Sequence, residues 1–163
     1  MPTRLARVVL LLLVSFSTPL FAAQGEAPSC AIMKGLDLKP LLGADHDAPV
    51  PFGQEGCRAE SNRPGKIVVL AVMQGTAAEH QKMFAMVKKI NATHRANEVK
   101  VVAEPSLGKD AFSIRENDMR QIEIMAIKGD RAINVQGGIG KPLSDAEVKQ
   151  FVGVAKAALD KLP

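Results

Sequence analysis

Apolar residues follow two different periods along the chain, and those periods divide it into elements. From Lys66 to Gln74 the apolar side chains Ile67 to Met73 run together and are rich in Ile and Val, the pattern of a central strand covered on both faces. Thr76-Ala-Ala-Glu79 is then a capping box, and Met83, Phe84, Val87 and Ile90 recur behind it at helical spacing. A helix is predicted from there to Asn91 or His94. Val99 to Ala103 and Ala111 to Arg115 read as strands separated by Pro105 and Gly108, while Gln121 to Ile127 and Ala132 to Val135 flank Lys128-Gly129-Asp130-Arg131. A Gly-Asp turn between β-rich runs predicts a hairpin. After a predicted loop from Gln136 to Leu143, Ser144 opens a second capping box with Glu147, and Val148, Phe151, Val152, Ala155, Leu159 and Leu162 follow on one helical face.

Upstream, Leu36 to Leu42 predicts a brief helical turn, with Asp37 placed to cap it and Gly43 to end it. Ala44 to Gly56 is a loop by composition, because its prolines and acidic residues oppose both helix and ladder hydrogen bonding. The order reads α, β, β, α, β, β, β, β, α. That order predicts an α+β domain: an antiparallel sheet of about five or six strands, with two longer helices and one short N-terminal helix packed on one of its faces.

Arg4 and Arg7 precede the apolar run Val8 to Val14, which gives way to Ser15, Ser17, Thr18 and Pro19 and ends at Ala22 and Ala23. This is the layout of a secretory signal peptide over residues 1–23. The run is too short for a membrane anchor, which needs roughly 20 apolar residues, so no stable membrane span is expected after cleavage. Residues 24–29 read as a polar tether and 30–163 as a single domain bound for the periplasm or the medium. Without Arg4 and Arg7, the 21 basic residues fall to 19 against 17 acidic ones. A chain so near balance, with no Trp and no Tyr, lacks both the field and the stacking faces that nucleic-acid binding uses.

In an oxidising compartment two cysteines most simply form one bridge. Cys30 and Cys57 stand 27 positions apart, too far for a CxxC redox pair and too few for a zinc set. Among other polar groups, Asp45-His46-Asp47 reads as a solvated loop and a candidate ligand mouth. Gly137-Gly138-Ile139-Gly140-Lys141 superficially follows a phosphate loop, but Pro142 stands where that motif needs Ser or Thr. Gly137, Gly138 and Lys141 are therefore kept as ligand-loop candidates only. His80 and Met83, one helical turn apart, suggest copper as a weak alternative, although a simpler reading puts Met83 in the core and His80 and His94 on the helix's wet edge. Asp110, Glu116, Asp118 and Glu123 alternate with Lys109, Arg115 and Arg120, which reads as a solvated sheet edge. No serine lies in a nucleophile elbow, no catalytic residue is identified, and no cofactor is expected.

Several stretches together resemble a group of uncharacterised two-cysteine bacterial envelope proteins: Cys30-Ala31-Ile32-Met33, Leu41-Leu42-Gly43, Cys57, Ser106-Leu107-Gly108-Lys109-Asp110-Ala111-Phe112, and Ile127-Lys128-Gly129-Asp130 with Val135. That group is distantly similar to the extracytoplasmic sensor domains of some membrane serine/threonine kinases. The resemblance implies an α+β fold, a Cys30–Cys57 disulfide and a ligand-binding or sensing role. It implies no catalytic residue. The resulting expectation is a non-enzymatic binding or sensing domain for a small ligand or an envelope protein, acting through the sheet face or edge that the helices leave open. An enzyme with an unrecognised carboxylate site and a copper-handling protein are the alternatives.

Overall fold

The computed structural model describes residues 26–163, so the signal-peptide expectation for residues 1–23 lies outside the described residues. Four helices, α1 (Pro28–Lys34), α2 (Lys39–Leu42), α3 (Ala77–His94) and α4 (Asp145–Asp160), accompany seven strands. The strands are β1 (Val50–Phe52), β2 (Gly56–Glu60), β3 (Lys66–Gln74), β4 (Val99–Ala103), β5 (Phe112–Glu116), β6 (Gln121–Lys128) and β7 (Arg131–Ile139). They form one antiparallel sheet in the order β1-β2-β3-β7-β6-β5-β4. The α+β class holds. The sheet is wider than the predicted five or six strands, and the N-terminal part carries two short helices in place of one.

Alternation along the strands assigns side chains to faces. Cys57 and Ala59, then Val68, Leu70 and Val72, then Ile133 and Val135, then Ile122, Ile124 and Ala126 line one face, buried against α1, α2 and α4. Phe112, Ile114, Val99, Met125 and Ala132 occupy the opposite face, buried with Phe84 of α3. Phe84 meets Phe112 edge to face at 5.5 Å between ring centroids. The helices therefore sit on both faces of the sheet. This corrects the expectation that they share one, and α3 alone covers the second face. Over β1 to β3 that second face stays open. Val50 and Phe52 are exposed, and Ile67, Val69, Ala71 and Met73 are only half-buried, so β3 is central without being covered on both sides.

Several boundaries also move. The predicted tether reaches only Ala27, because Pro28 and Ser29 already belong to α1, where Pro tolerates the first turn. The predicted loop Ala44 to Gly56 contains β1 and supplies the first residue of β2. Pro51 is accommodated there because β1 is an edge strand. The Gly129-Asp130 hairpin forms as read, with Lys128 paired to Arg131 and Gly129 at a φ of 62°. Among the described residues no helix is long and apolar enough to cross a membrane.

Both capping boxes form as the sequence predicts. At α4, the Ser144 hydroxyl and backbone N–H donate to Glu147 Oε2 at 2.6 and 2.8 Å, and Lys141 Nζ lies 2.9 Å from Oε1. The Ser144 hydroxyl, then its backbone N–H, then Lys141 hold the Glu147 carboxyl down at about 2. Its folded pKa lies below its unfolded one, so its contribution is fully present above the ordinary carboxylate range and is lost as the pH falls through about 2. Urea denaturation of Glu147→Gln beside the wild type is expected to show a stability gap that closes as the pH is lowered from about 6 to about 2. Ser144→Ala is expected to cost about 1 kcal/mol at neutral pH.

Candidate functional site

The polar cluster that stands out is on the α4 face of the sheet, at its β4–β5 end. β5 runs Phe112-Ser-Ile-Arg-Glu116, so alternation sends Phe112 and Ile114 under α3 and turns Ser113 and Arg115 to the other face. There they meet Glu104, which follows β4 and opens the 3-10 turn Pro105–Leu107. Glu104 Oε1 accepts from Ser113 Oγ at 2.6 Å and from Arg115 Nη2 at 2.6 Å, while Arg115 Nε donates to Ser113 Oγ at 2.9 Å. Ser113 is fully buried and Glu104 is 8% exposed. Each member fixes the other two, so the guanidinium is held without freedom to swing.

This cluster borders a cavity of about 390 Å³, lined by Glu104, Ser106 and Arg115 on one side and by Asp145, Val148, Lys149 and Val152 of α4 on the other. Three guanidinium N–H groups of Arg115 are not used by Ser113 or Glu104. Glu104 Oε2 has no hydrogen-bond partner among the described residues. That second oxygen is not sealed in the core, so it is open to a polar group that enters the cavity beside the anchored guanidinium. The arrangement can therefore present a fixed fork of donors and a charged acceptor side by side, against the apolar wall of Val148 and Val152. Ser113 itself is not available to a ligand, because it has no exposed surface.

Removing one partner of this ion pair leaves the other with a poorly solvated charge. Single variants Glu104→Ala and Arg115→Ala are each expected to lose roughly 2 kcal/mol in urea titrations, discounted from the fully buried case because the pair opens on the cavity. The double variant should lose less than their sum, with a coupling of about 1–2 kcal/mol.

Of the residues named from the sequence as ligand-loop candidates, none lines this cavity. Asp45, His46 and Asp47 pack beside the turn that precedes β3: His46 bridges Ser61, Asp47 N–H donates to the Glu60 carbonyl, and Asn62 donates to the Asp45 carbonyl. Gly140, which follows β7, touches Gly65 of the same turn, so the two predicted loops are neighbours. Asp45 lines a smaller cavity of about 170 Å³ with Arg63 and Lys66. Lys141 is engaged with Glu147. Gly137 and Gly138 are not loop residues at all. They lie inside β7, where a Cβ on Gly137 would strike Phe151 and the Ile67 carbonyl, and one on Gly138 would reach 2.6 Å from the Arg120 carbonyl. Their smallness admits α4 and a neighbouring backbone, which is a packing role.

His80 is 4% exposed, a correction to its placement on the helix's wet edge. Its ring packs on Gly75, with Nε2 3.4 Å from the Asp130 carbonyl. It thus braces the β6–β7 hairpin against α3. Met83 is half-buried in the second core, Met86 is 57% exposed, and His94 is exposed. Among the described residues no three His, Cys, Asp or Glu side chains come together as a metal site. Of the acidic residues on the predicted sheet edge, Asp110 accepts from Gln81, and Glu123 accepts from Asn134 and Gln136.

Sequence reading passed over Glu104 and set Arg115 among solvated charges. The signal it had was the alternation in β5: Phe112 and Ile114 apolar, Ser113 and Arg115 polar, within a strand flanked on both sides by strands rich in Val and Ile. A strand that turns Ser and Arg toward a helix-covered face needs a buried partner for them. Glu104 supplies it.

The two cysteines do join, Cys30 to Cys57, with their Cα atoms 5.0 Å apart. No family model matches the chain, and neither does any curated protein. Among solved structures, a protein of Bacteroides thetaiotaomicron VPI-5482 is similar with a TM-score of 0.43 and 11% identity, over 69% of this chain. The match spans 42% of that protein's own chain.

Proposed function

We propose that this chain is an exported, disulfide-stapled binding or sensing domain, and that the cavity between α4 and β5 is where its small ligand sits. The observation that carries the reading is Glu104, nearly buried, with one oxygen shared by Ser113 and Arg115 and the other without a partner among the described residues. Folding gains little from such an arrangement compared with an apolar plug of the same volume, whereas a ligand site needs charges fixed in advance. The disulfide fits an oxidising destination, consistent with the signal-peptide reading of residues 1–23.

A carboxylate enzyme would also need titratable groups converging on a partly apolar cavity, and this cavity supplies Glu104 and Asp145. Against that reading stand the burial of Ser113 and the commitment of Glu104 Oε1 to two donors. Binding without turnover is the simpler role. The test is to purify the chain from its oxidising compartment without denaturants and examine it by native mass spectrometry beside Val152→Trp, whose ring would fill the cavity from a half-buried position. A small molecule retained by the wild type and absent from the variant supports the reading. A molecule retained equally by both, or a chemically altered product released by the wild type alone, contradicts it.

A further inference from the structure

The same cavity also constrains the chemistry of its occupant. Resting on the binding reading above, we infer that the ligand is a zwitterion of the α-amino-acid type, with its carboxylate on the free edge of Arg115 and its ammonium on Glu104 Oε2. Net charge is the first argument. Four titratable side chains line the cavity, two acidic (Glu104, Asp145) and two basic (Arg115, Lys149), so they neither attract a lone anion nor hold a lone cation. Arg115 is already compensated by Glu104 at 2.6 Å. A phosphate or simple carboxylate would meet that carboxylate beside it, and an amine alone would meet the guanidinium. A ligand that is neutral overall, with separated charges, meets both groups with the favourable sign.

Spacing is the second argument. The charged groups of Glu104 and Arg115 are in direct contact, and the ammonium and carboxylate of an α-amino acid are separated by a single carbon. Donor and acceptor counts also match. Three unused N–H groups on Arg115 face a two-oxygen carboxylate, and an unpartnered carboxylate oxygen faces an ammonium with three donors. The remaining wall is Val148 and Val152, one turn apart on α4, which suits an aliphatic side chain. The cavity, about 390 Å³ and open to solvent along one side, has room for a ligand of that size.

A thermal-shift screen of the disulfide-intact protein against the individual common L-amino acids, each beside its counterpart lacking the amine and its counterpart lacking the carboxylate, tests this directly. At least one amino acid with an aliphatic side chain is expected to raise the melting temperature. Both of its truncated counterparts should bind at least tenfold more weakly. Glu104→Gln, which keeps the shape and the acceptor for Ser113, should weaken the amino acid at least tenfold and bind the amine-free counterpart more tightly than the wild type does, because the carboxylate beside Arg115 is gone. The inference is overturned if no amino acid shifts the melt, if a singly charged counterpart binds as tightly, or if Glu104→Gln binds unchanged. Loss of the native mass-spectrometric ligand in Val152→Trp, with no response to any amino acid, would overturn the zwitterion alone and leave the binding reading standing.

Discussion

Removing the Cys30–Cys57 bridge is expected to destabilise the domain by about 3.5 kcal/mol, the chain-entropy value for a loop of this length, which lowers the melting temperature by roughly 10 °C. The effect has a structural address. Cys30 lies in α1, a helix of seven residues with no side-chain cap at its N-terminus, far too short to persist in water alone. It is held by packing and by its sulfur link to Cys57, which β2 carries beside Leu70 of β3. Both cysteines and Met33 are buried in the core that α1 and α2 share with α4. Reduction, or the Cys30→Ser/Cys57→Ser double variant, should therefore release α1 first. Hydrogen exchange is expected to show the α1 amides losing protection well before those of β3 and β7. If α1 and the central strands lost protection together and the melting temperature moved by less than about 3 °C, the bridge would be incidental to stability.

The second large effect is expected at Gly137. Its position in β7 pairs with Val68 of β3 and Ile122 of β6, so backbone is fixed on both sides. A Cβ there would stand 2.5 Å from Phe151 Cε1 and 2.9 Å from Cζ, while also colliding with the Ile67 carbonyl. Phe151 is fully buried at the centre of the α4 contact. Gly137→Ala therefore forces α4 away from the sheet, and a cost of about 3 kcal/mol is expected, at the upper end of ordinary overpacking. Phe151→Ala alone should cost about 3–5 kcal/mol through the cavity it leaves. The diagnostic is the pair: in a Phe151→Leu background, Gly137→Ala should lose the part of its cost that comes from the ring and keep the part that comes from the Ile67 carbonyl, whereas fully additive losses would mean that the ring contributes nothing to the clash.

How much of this was legible depended on whether the signal was local. Capping boxes at Thr76 and Ser144, the Gly129-Asp130 turn and the apolar run of β3 are all written within a few consecutive residues, and each forms where read. β1 was not legible because it is three residues long, carries Pro51, and exists only as an edge paired to β2. The distribution of helices over two faces was half written. In β6 the alternation of Ile122 and Ile124 with polar neighbours gives way at Met125 to a continuous run through Ile127, which marks where α3 begins to cover the second face. The glycines of β7 misled because Gly-Gly before a helix has the composition of a turn, and only distant partners explain them: Phe151 and the Ile67 carbonyl for Gly137, the Arg120 carbonyl for Gly138. Glu104 is separated from Ser113 by a 3-10 turn and a strand start. Nothing local announces that they meet.

The location of the ligand is the claim on which the functional account depends, and Arg115 offers a direct reporter. Its Nε–H is hydrogen-bonded to Ser113 Oγ, which should slow its exchange enough for the side-chain resonance to be followed in a ¹H–¹⁵N spectrum. On titration with the molecule released from the native preparation, the Arg115 Nε–H signal and the amides of Glu104, Ser106 and Lys149 are expected to shift together, with those of Asp45 to Asp47 left in place. Shifts confined to Asp45 to Asp47, or to Val50, Phe52 and the open face of β3, would place recognition elsewhere and contradict the account.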